Sequence, residues 1–187
     1  MFGCHPDPGL IAPGKRKTID MSKVTNVIVA GLGGQGVLKA SDVLAEAAFR
    51  AGFQVKKSEV HGMAQRGGSV GSDVRFGPEV FSPMIPPGEA DFLVVLAPDQ
   101  VEVTRDQLRA GGVLIPPDLI NLEQLQNRKS FNIALMGALS RHLPQIPEAL
   151  WLEALQEQFP EKLHAANVQA FRLGQSAGVC RAAEKPA

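Results

Sequence analysis

Cysteine is scarce in this chain. The 187 residues hold two, Cys4 and Cys180, near opposite ends, and neither belongs to a C-x-x-C pair or a Cys/His cluster. An iron–sulfur cluster or a structural zinc ion, which takes several thiolate or imidazole ligands, therefore cannot be held by this chain alone. An excess of either charge is missing too, because Lys plus Arg and Asp plus Glu number 19 each. No global field favours nucleic acid or an anionic lipid surface, so recognition must be local. No apolar run approaches the roughly 20 residues that span a bilayer. The N-terminal stretch, with Pro6, Pro8, Pro13 and the basic run Lys15 to Lys17, lacks the apolar segment of a signal peptide. Internal repeats and low-complexity tracts are also absent. These exclusions lead to the expectation of a soluble cytoplasmic protein that binds neither nucleic acid nor membrane.

What is present reads as one domain. Residues 1–20 are expected to be a disordered extension, or upstream sequence ahead of a native start at Met21, with the domain over 21–178 and a tail over 179–187. Val24 to Ala30 is a β-branched, apolar run of the kind that forms a buried strand. Val37, Ala40, Val43, Leu44, Ala47 and Ala48 then recur at helical spacing, and Gly52 ends the pattern as a C′ residue would. Phe53 to Val60 and Ser69 to Phe76 read as strands joined by a connection too short for a parallel crossover, so the two pair antiparallel. Asp91 to Ala97 is the strongest strand signal. Pro98 and Asp99 are expected to open a helix running to about Ala110, stopped by Gly111 and Gly112 before a short strand at Val113 to Ile115. Asn132 to His142, Pro147 to Phe159 and Glu161 to about Gly174 read as helices. The fold class is α/β, Rossmann-like, with a mostly parallel or mixed sheet and a helical C-terminal third.

Two glycine-rich segments carry the chemistry. In G-L-G-G-Q-G, Gly31 to Gly36, the glycines Gly31, Gly33 and Gly36 match the spacing of a dinucleotide fingerprint, and backbone amides at the following helix N-terminus suit a phosphate. Glu59 stands near the place of a ribose-binding acid, roughly 20 residues on. That points to a stand-alone dinucleotide-binding dehydrogenase or a nucleotide-sensing module. Against the dehydrogenase, no later segment offers a hydride-transfer site, since His142 and His164 lie on expected helices. The bland alternative is that the glycines only tighten a strand-to-helix turn.

The second segment, S-E-V-H-G-M-A-Q-R-G-G-S-V over Ser58 to Val70, gathers acid, imidazole, amide and guanidinium groups around three glycines. Gly62, Gly67 and Gly68 free the backbone for close approach. Arg66 offers a planar fork for a carboxylate or phosphate. His61 is a possible proton donor near neutral pH, and Glu59 is placed to orient His61 or pair with Arg66. The bland reading is an exposed connection with Arg66 in a solvated ion pair.

Taken together, the two segments resemble the gamma domain of the 2-oxoacid:ferredoxin oxidoreductases, in the form of the beta subunit of its indolepyruvate branch. Supporting strings are A-D-F-L-V-V-L-A-P at Ala90 to Pro98, G-G-V-L-I at Gly111 to Ile115, N-I-A-L-M-G-A-L-S at Asn132 to Ser140 and N-V-Q-A-F-R-L-G at Asn167 to Gly174, so the likeness spans about residues 23–175. The string E-V-H-G-M-A-Q-R-G-G is similar to the arylpyruvate branch in particular.

The resemblance implies a subunit of an enzyme that decarboxylates a 2-oxoacid oxidatively, passes electrons to ferredoxin and releases an acyl-CoA. Thiamine diphosphate, Mg²⁺ and 4Fe-4S clusters are then expected on a larger alpha subunit, with CoA as co-substrate. This chain has no G-D-G and asparagine signature for the diphosphate, and it is expected to hold no metal and to be inactive alone. A homodimer of heterodimers is the implied assembly. Gly31, Gly33, Gly34, Gln35 and Gly36 are implied to face a ligand phosphate or the partner. Glu59, Gln65, Arg66, Gly67, Gly68 and Ser69 would complete the substrate or cofactor rim, with His61 the possible catalytic group. One departure from the family pattern is the short connection Pro116 to Phe131, where relatives carry a longer stretch that supplies a further strand.

Overall fold

A computed structural model of the chain describes residues 23–61, 67–178 and 181–182. Strand β1, Thr25–Leu32, is buried on both faces through Val27 and Val29 on one side and Ile28 and Ala30 on the other. Such a continuous apolar strand belongs at the centre of a sheet. Helix α1, Val37–Arg50, follows, then β2, Gln54–His61, and β3, Ser69–Gly77. Next come β4, Ala90–Val95, the one-turn helix α2, Gln100–Thr104, and β5, Leu108–Ile115. Helices α3, Phe131–Ser140, α4, Glu148–Gln158, and α5, His164–Ser176, form the C-terminal third before the two-residue strand β6, Arg181–Ala182.

The sheet order is β2-β3-β1-β4-β5-β6. β1, β4 and β5 are parallel, whereas β3 is antiparallel to both β1 and β2, and β6 is antiparallel to β5. The expected antiparallel pairing of the second and third strands is therefore observed, and the sheet is mixed. β3 runs between β1 and β2, which share a direction but do not touch.

The two sheet faces are covered differently. Val27, Val29, Val94 and Ile115 join α1, α3, α4 and α5 in the larger core. Ile28, Ala30, Leu93, Val95 and Leu114 form a smaller one beneath Ile85 and Val101. The segment carrying Ile85 is pinned by polar groups of β3: Ile85 N donates to Asp73 Oδ2 at 3.0 Å, and Arg75 Nη1 donates to the carbonyls of Ser82 and Met84, each at 3.0 Å.

Helix α1 ends as its sequence requires. Gly52 has φ +88°, Phe53 N donates to Ala48 O and Gly52 N to Phe49 O. This is a Schellman closure, in which glycine takes the left-handed position without a Cβ penalty.

The helix expected from Pro98 to Ala110 is instead one turn of α2, ended at Thr104, and a short 3-10 turn over Arg105–Gln107. Val101 and Val103 are two apart and cannot share a helix face, so no apolar stripe supports a longer helix. Leu108 is 8 % exposed and already belongs to β5. Gly111 and Gly112 consequently lie inside a strand rather than ending a helix. Between them and β4 the register slips, Ala90 facing Leu108 but Phe92 facing Val113, and Gly111 absorbs the extra residues at φ +73°. Arg109 Nε holds this bulge to Asp91 Oδ1 at 2.7 Å.

The short connection before α3 is made of 3-10 turns at Pro117–Leu119, Leu122–Gln124 and Arg128–Ser130, with Ile120 and Leu125 buried in the larger core. The far edge of β5 is paired by β6, through Val113 with Ala182 and Leu114 with Arg181.

Helix α3 is buried from Asn132 through Ser140, an all-round burial possible only because α5 crosses it at backbone contact. A Cβ on Gly137 would strike the Phe171 carbonyl, and one on Gly174 the Ala134 carbonyl. Neither backbone can yield. Gly174→Ala should lower unfolding free energy by about 1–3 kcal/mol or more through overpacking, read as a fall in the urea midpoint. Gly71→Ala, whose Cβ would meet nothing within 4 Å, should change stability far less. Equal midpoints for wild type and Gly174→Ala would contradict the packing described.

Candidate functional site

The carboxyl ends of β1, β2, β4 and β5 share one edge of the sheet. From β1 the chain passes to α1, whose Val37 and Ala40 pack on the larger core. From β4 it passes to α2, whose Val101 packs on the opposite face. The crevice between β1 and β4 is thus the point where the connections part to opposite faces, the position at which open α/β sheets bind ligands.

Both glycine segments meet at this edge. The β1–β3 ladder carries Gly31 opposite Val70 and Leu32 opposite Ser69. It then runs past the strand ends, because Gly33 N donates to Gly68 O at 2.9 Å. The two motifs are therefore one continuous piece of backbone pairing. On the other side of β1, Leu96 N donates to Ala30 O at 2.8 Å and carries the β4 pairing up to the crevice.

The turn is built from its own atoms. Gln35 N donates to Leu32 O at 3.1 Å, and Gln35 Oε1 accepts from Leu32 N at 2.8 Å, so this side chain closes the turn. Gly34 and Gly36 adopt φ +95° and +80°, conformations that favour glycine. Gly36 O accepts from Ala40 N and from Asn132 Nδ2, each at 3.0 Å. Asn132, 4 % exposed on α3, thereby fastens the turn to the helical layer. α1 has no acidic residue in its first turn and no side-chain cap. Its first amide groups, and the positive end of its dipole, are left for an acceptor from outside the helix.

The remaining sequence candidates distribute as follows. Ser69 Oγ donates to Gln100 Oε1 at 2.8 Å, linking β3 to the start of α2. Gly67 takes φ +71°, and Gly68 supplies the carbonyl bonded by Gly33. Glu59 pairs with Lys57 at 2.7 Å, and Lys57 also reaches Asp42 of α1 at 2.5 Å. Burial pulls the Lys57 pKa down, but the hydrogen bonds that its ammonium donates to Asp42 and Glu59 outweigh it and hold the pKa above its ordinary value. His61 closes β2 opposite Val70. Gln65 and Arg66, with Gly62, lie outside the described residues.

The placement of Glu59 bears on the dinucleotide reading. A ribose-binding acid ends the strand beside β1. Here β3 occupies that place, and β2 stands two strand spacings away, roughly 10 Å. The dinucleotide geometry is not formed. His142 and His164 are likewise remote from the crevice: His142 lies against Phe92 with ring centroids 5.9 Å apart, and His164 Nε2 is 2.7 Å from Phe159 O.

Gln100 and Asn132 are the members that sequence reasoning missed. Pro98 to Gln100 read only as a helix start, although it follows the strongest strand and so falls at a switch point. Asn132 carried no signal of its own, because its contact with Gly36 is made across most of the chain.

An open α/β domain with a glycine turn at its switch point is a ligand-binding scaffold, and comparison with known proteins narrows it. The family model for pyruvate ferredoxin/flavodoxin oxidoreductase matches residues 26–177. The indolepyruvate oxidoreductase subunit IorB of Thermococcus kodakarensis is 34% identical over 194 residues, covering 81% of this chain and 95% of the relative. The chain belongs to this family, as a gamma-type subunit of 2-oxoacid:ferredoxin oxidoreductases. The fold agrees. The gamma subunit of a keto/oxoacid ferredoxin oxidoreductase from Geobacter sulfurreducens superposes with TM-score 0.68 at 24% identity, covering 80% of this chain and 95% of its own. A 2-oxoglutarate:ferredoxin oxidoreductase chain from Magnetococcus marinus gives TM-score 0.72 at 23% identity over 82% of this chain and 31% of its own length. In that protein the fold is one part of a longer chain.

The donors of this chain do not fit an iron–sulfur cluster. Two cysteines near opposite ends cannot supply a cluster's thiolates, and among the described residues no group of three His, Cys, Asp or Glu could hold a metal. No described helix is long and apolar enough to cross a membrane.

Gly36→Ala tests the turn. Its Cβ would sit 2.6 Å from Asn132 Nδ2 at a left-handed φ. A loss of about 1–3 kcal/mol is expected, measured by chemical unfolding. An unchanged midpoint would contradict the geometry.

Proposed function

We propose that this chain is the subunit without cofactors of an indolepyruvate or arylpyruvate:ferredoxin oxidoreductase, and that its glycine rim forms one wall of an active site completed by a larger alpha subunit. The observation that carries this reading is the union of the two motifs by the Gly33–Gly68 bond at the switch point, in a chain whose IorB relative is matched over nearly its whole length. On this reading thiamine diphosphate, Mg²⁺ and the 4Fe-4S clusters belong to the alpha partner, which also passes electrons to ferredoxin.

The work left to this chain is binding and orientation. With the Gly33 and Gln35 amides bonded inside the turn, those of Gly34 and Gly36 and the first amides of α1 meet a phosphate or carboxylate, without an opposing acid in the first turn of α1. Arg66, two residues before the carbonyl that Gly33 holds, supplies a planar fork for the substrate carboxylate or a CoA phosphate. Ser69 borders the same rim through its bond to Gln100, and the roles expected of Gln65 and of His61, as a proton carrier near neutral pH, complete the reading. Such groups raise turnover by fixing an anionic reactant in one pose beside the reacting centre.

Reconstitution tests the proposal. With an alpha subunit that carries the thiamine and cluster motifs, the chain should support arylpyruvate-dependent formation of acyl-CoA with ferredoxin reduction, and alone it should be inactive. Arg66→Ala should fold normally and lower activity of the complex at least about tenfold, the loss expected for one charge-assisted bond. Turnover of NAD(H) by the isolated chain would contradict the proposal, as would full activity of Arg66→Ala.

A further inference from the structure

The opposite end of the sheet carries a second group of polar side chains, which the glycine rim does not use. β1 spans eight residues, so Thr25 at its start lies roughly 23 Å from Leu32 at the rim. Beside Thr25, the residues Lys23, Asp91, Phe92 and Arg109 on the sheet side, with His142 and Gln145 just past α3, line a cavity of about 170 Å³. At the roughly 30 Å³ that a water molecule takes up in the liquid, this is room for about five or six non-hydrogen atoms. The charges around it are unequal. Asp91 Oδ2 accepts from Asn26 N at 2.9 Å, and Oδ1 faces Arg109 Nε at 2.7 Å and Lys23 Nζ at 4.0 Å. One carboxylate thus meets two cations, and Nε is only one of the donors on the guanidinium. Burial, and after it the Arg141 guanidinium, lowers the His142 pKa, so the imidazole adds no charge near neutral pH. A positive charge is left over. The Gln145 side has the opposite need: its Oε1 is buried and meets no donor among the described residues, which is costly unless a donor comes from outside the chain.

We propose that this cavity is a second binding site, for a small hydroxy acid, with the carboxylate at Lys23 and the remaining N–H groups of Arg109 and the hydroxyl donating to Gln145 Oε1. The surplus cation calls for an anion, and the orphan acceptor calls for a donor carried by that anion. A 2-oxoacid of the same size has a carboxylate but otherwise only acceptors. An amino acid has the donor, but brings a further cation beside Lys23 and Arg109. Phe92 supplies apolar surface for the carbon chain. The site stands apart from the glycine rim and does not rest on the oxidoreductase reading.

The test titrates the isotope-labelled full chain with lactate, pyruvate and alanine, acids of equal non-hydrogen-atom count, and follows the amide NMR signals. Lactate should shift Thr25, Arg109 and His142 with a Kd of about 1 mM or below, while Gly33 and Gly34 stay in place. Pyruvate and alanine should bind at least about fivefold more weakly, the loss of one hydrogen bond. Gln145→Met, which removes the acceptor, should bring lactate and pyruvate to within about twofold of each other. Lys23→Met, at a side chain 62 % exposed, should leave the fold intact and weaken both by a common factor. No response to any of the three acids would mean that the cavity holds water only, and would overturn the proposal. Equal binding of lactate and pyruvate to the wild type would do the same, a comparison that needs no variant to fold. Tighter binding of alanine than of lactate would contradict the charge argument and sink the proposal, as would lactate shifts confined to Gly33 and Gly34.

Discussion

The backbone pairing of β1 with β3 is the constraint on which the rest depends. It spans Thr25 opposite Phe76 through Leu32 opposite Ser69, and the Gly33–Gly68 bond extends it beyond the sheet. Antiparallel register leaves little freedom, since a slip of one residue would turn Val74 and Phe76 out of the larger core. The position of one glycine loop therefore determines the position of the other. A polar rim assembled this way needs no ligand to hold it together.

Inserting β3 between β1 and β2 also decides what the glycine turn is for. In a dinucleotide fold the turn and the acid after the second strand grip one ligand. Here the acid is carried away to the sheet edge, where Glu59 and Asp42 neutralise Lys57. What remains at the crevice, among the described residues, is the set of α1 amides with no acid beside them and the Ser69–Gln100 pair. That composition suits an anionic ligand supplied or shared by another chain. The helical layer supports the rim from behind, because Asn132 reaches from the fully buried α3 to the Gly36 carbonyl. The close crossing of α3 and α5 at Gly137 and Gly174 keeps that anchor in place.

Much of this was legible in the sequence. The periodicity of Val37 to Ala48, the Gly52 stop and the short connection between β2 and β3 each followed from local physics, and the structure carries them as expected. The helix expected after Pro98 failed because local helix-start signals were strong while the apolar stripe needed to continue was absent. Leu108 then gained more by entering the sheet. The glycine loops were visible as motifs, but their union was not, since it is a backbone bond that no side-chain pattern encodes. Gln100 and Asn132 were hidden for a related reason: each acts through a partner far away in sequence, Ser69 and Gly36.

Amide hydrogen exchange at Gly33 probes the central bond most directly, because exchange reports the opening of individual backbone pairs. If the loops form one unit with the β1–β3 ladder, the Gly33 N–H should be protected to within about tenfold of Val29 at the centre of β1, while the neighbouring exposed Gly34 exchanges rapidly. Exchange of Gly33 as fast as Gly34 would mean that the two glycine segments are independent loops and that no shared rim exists.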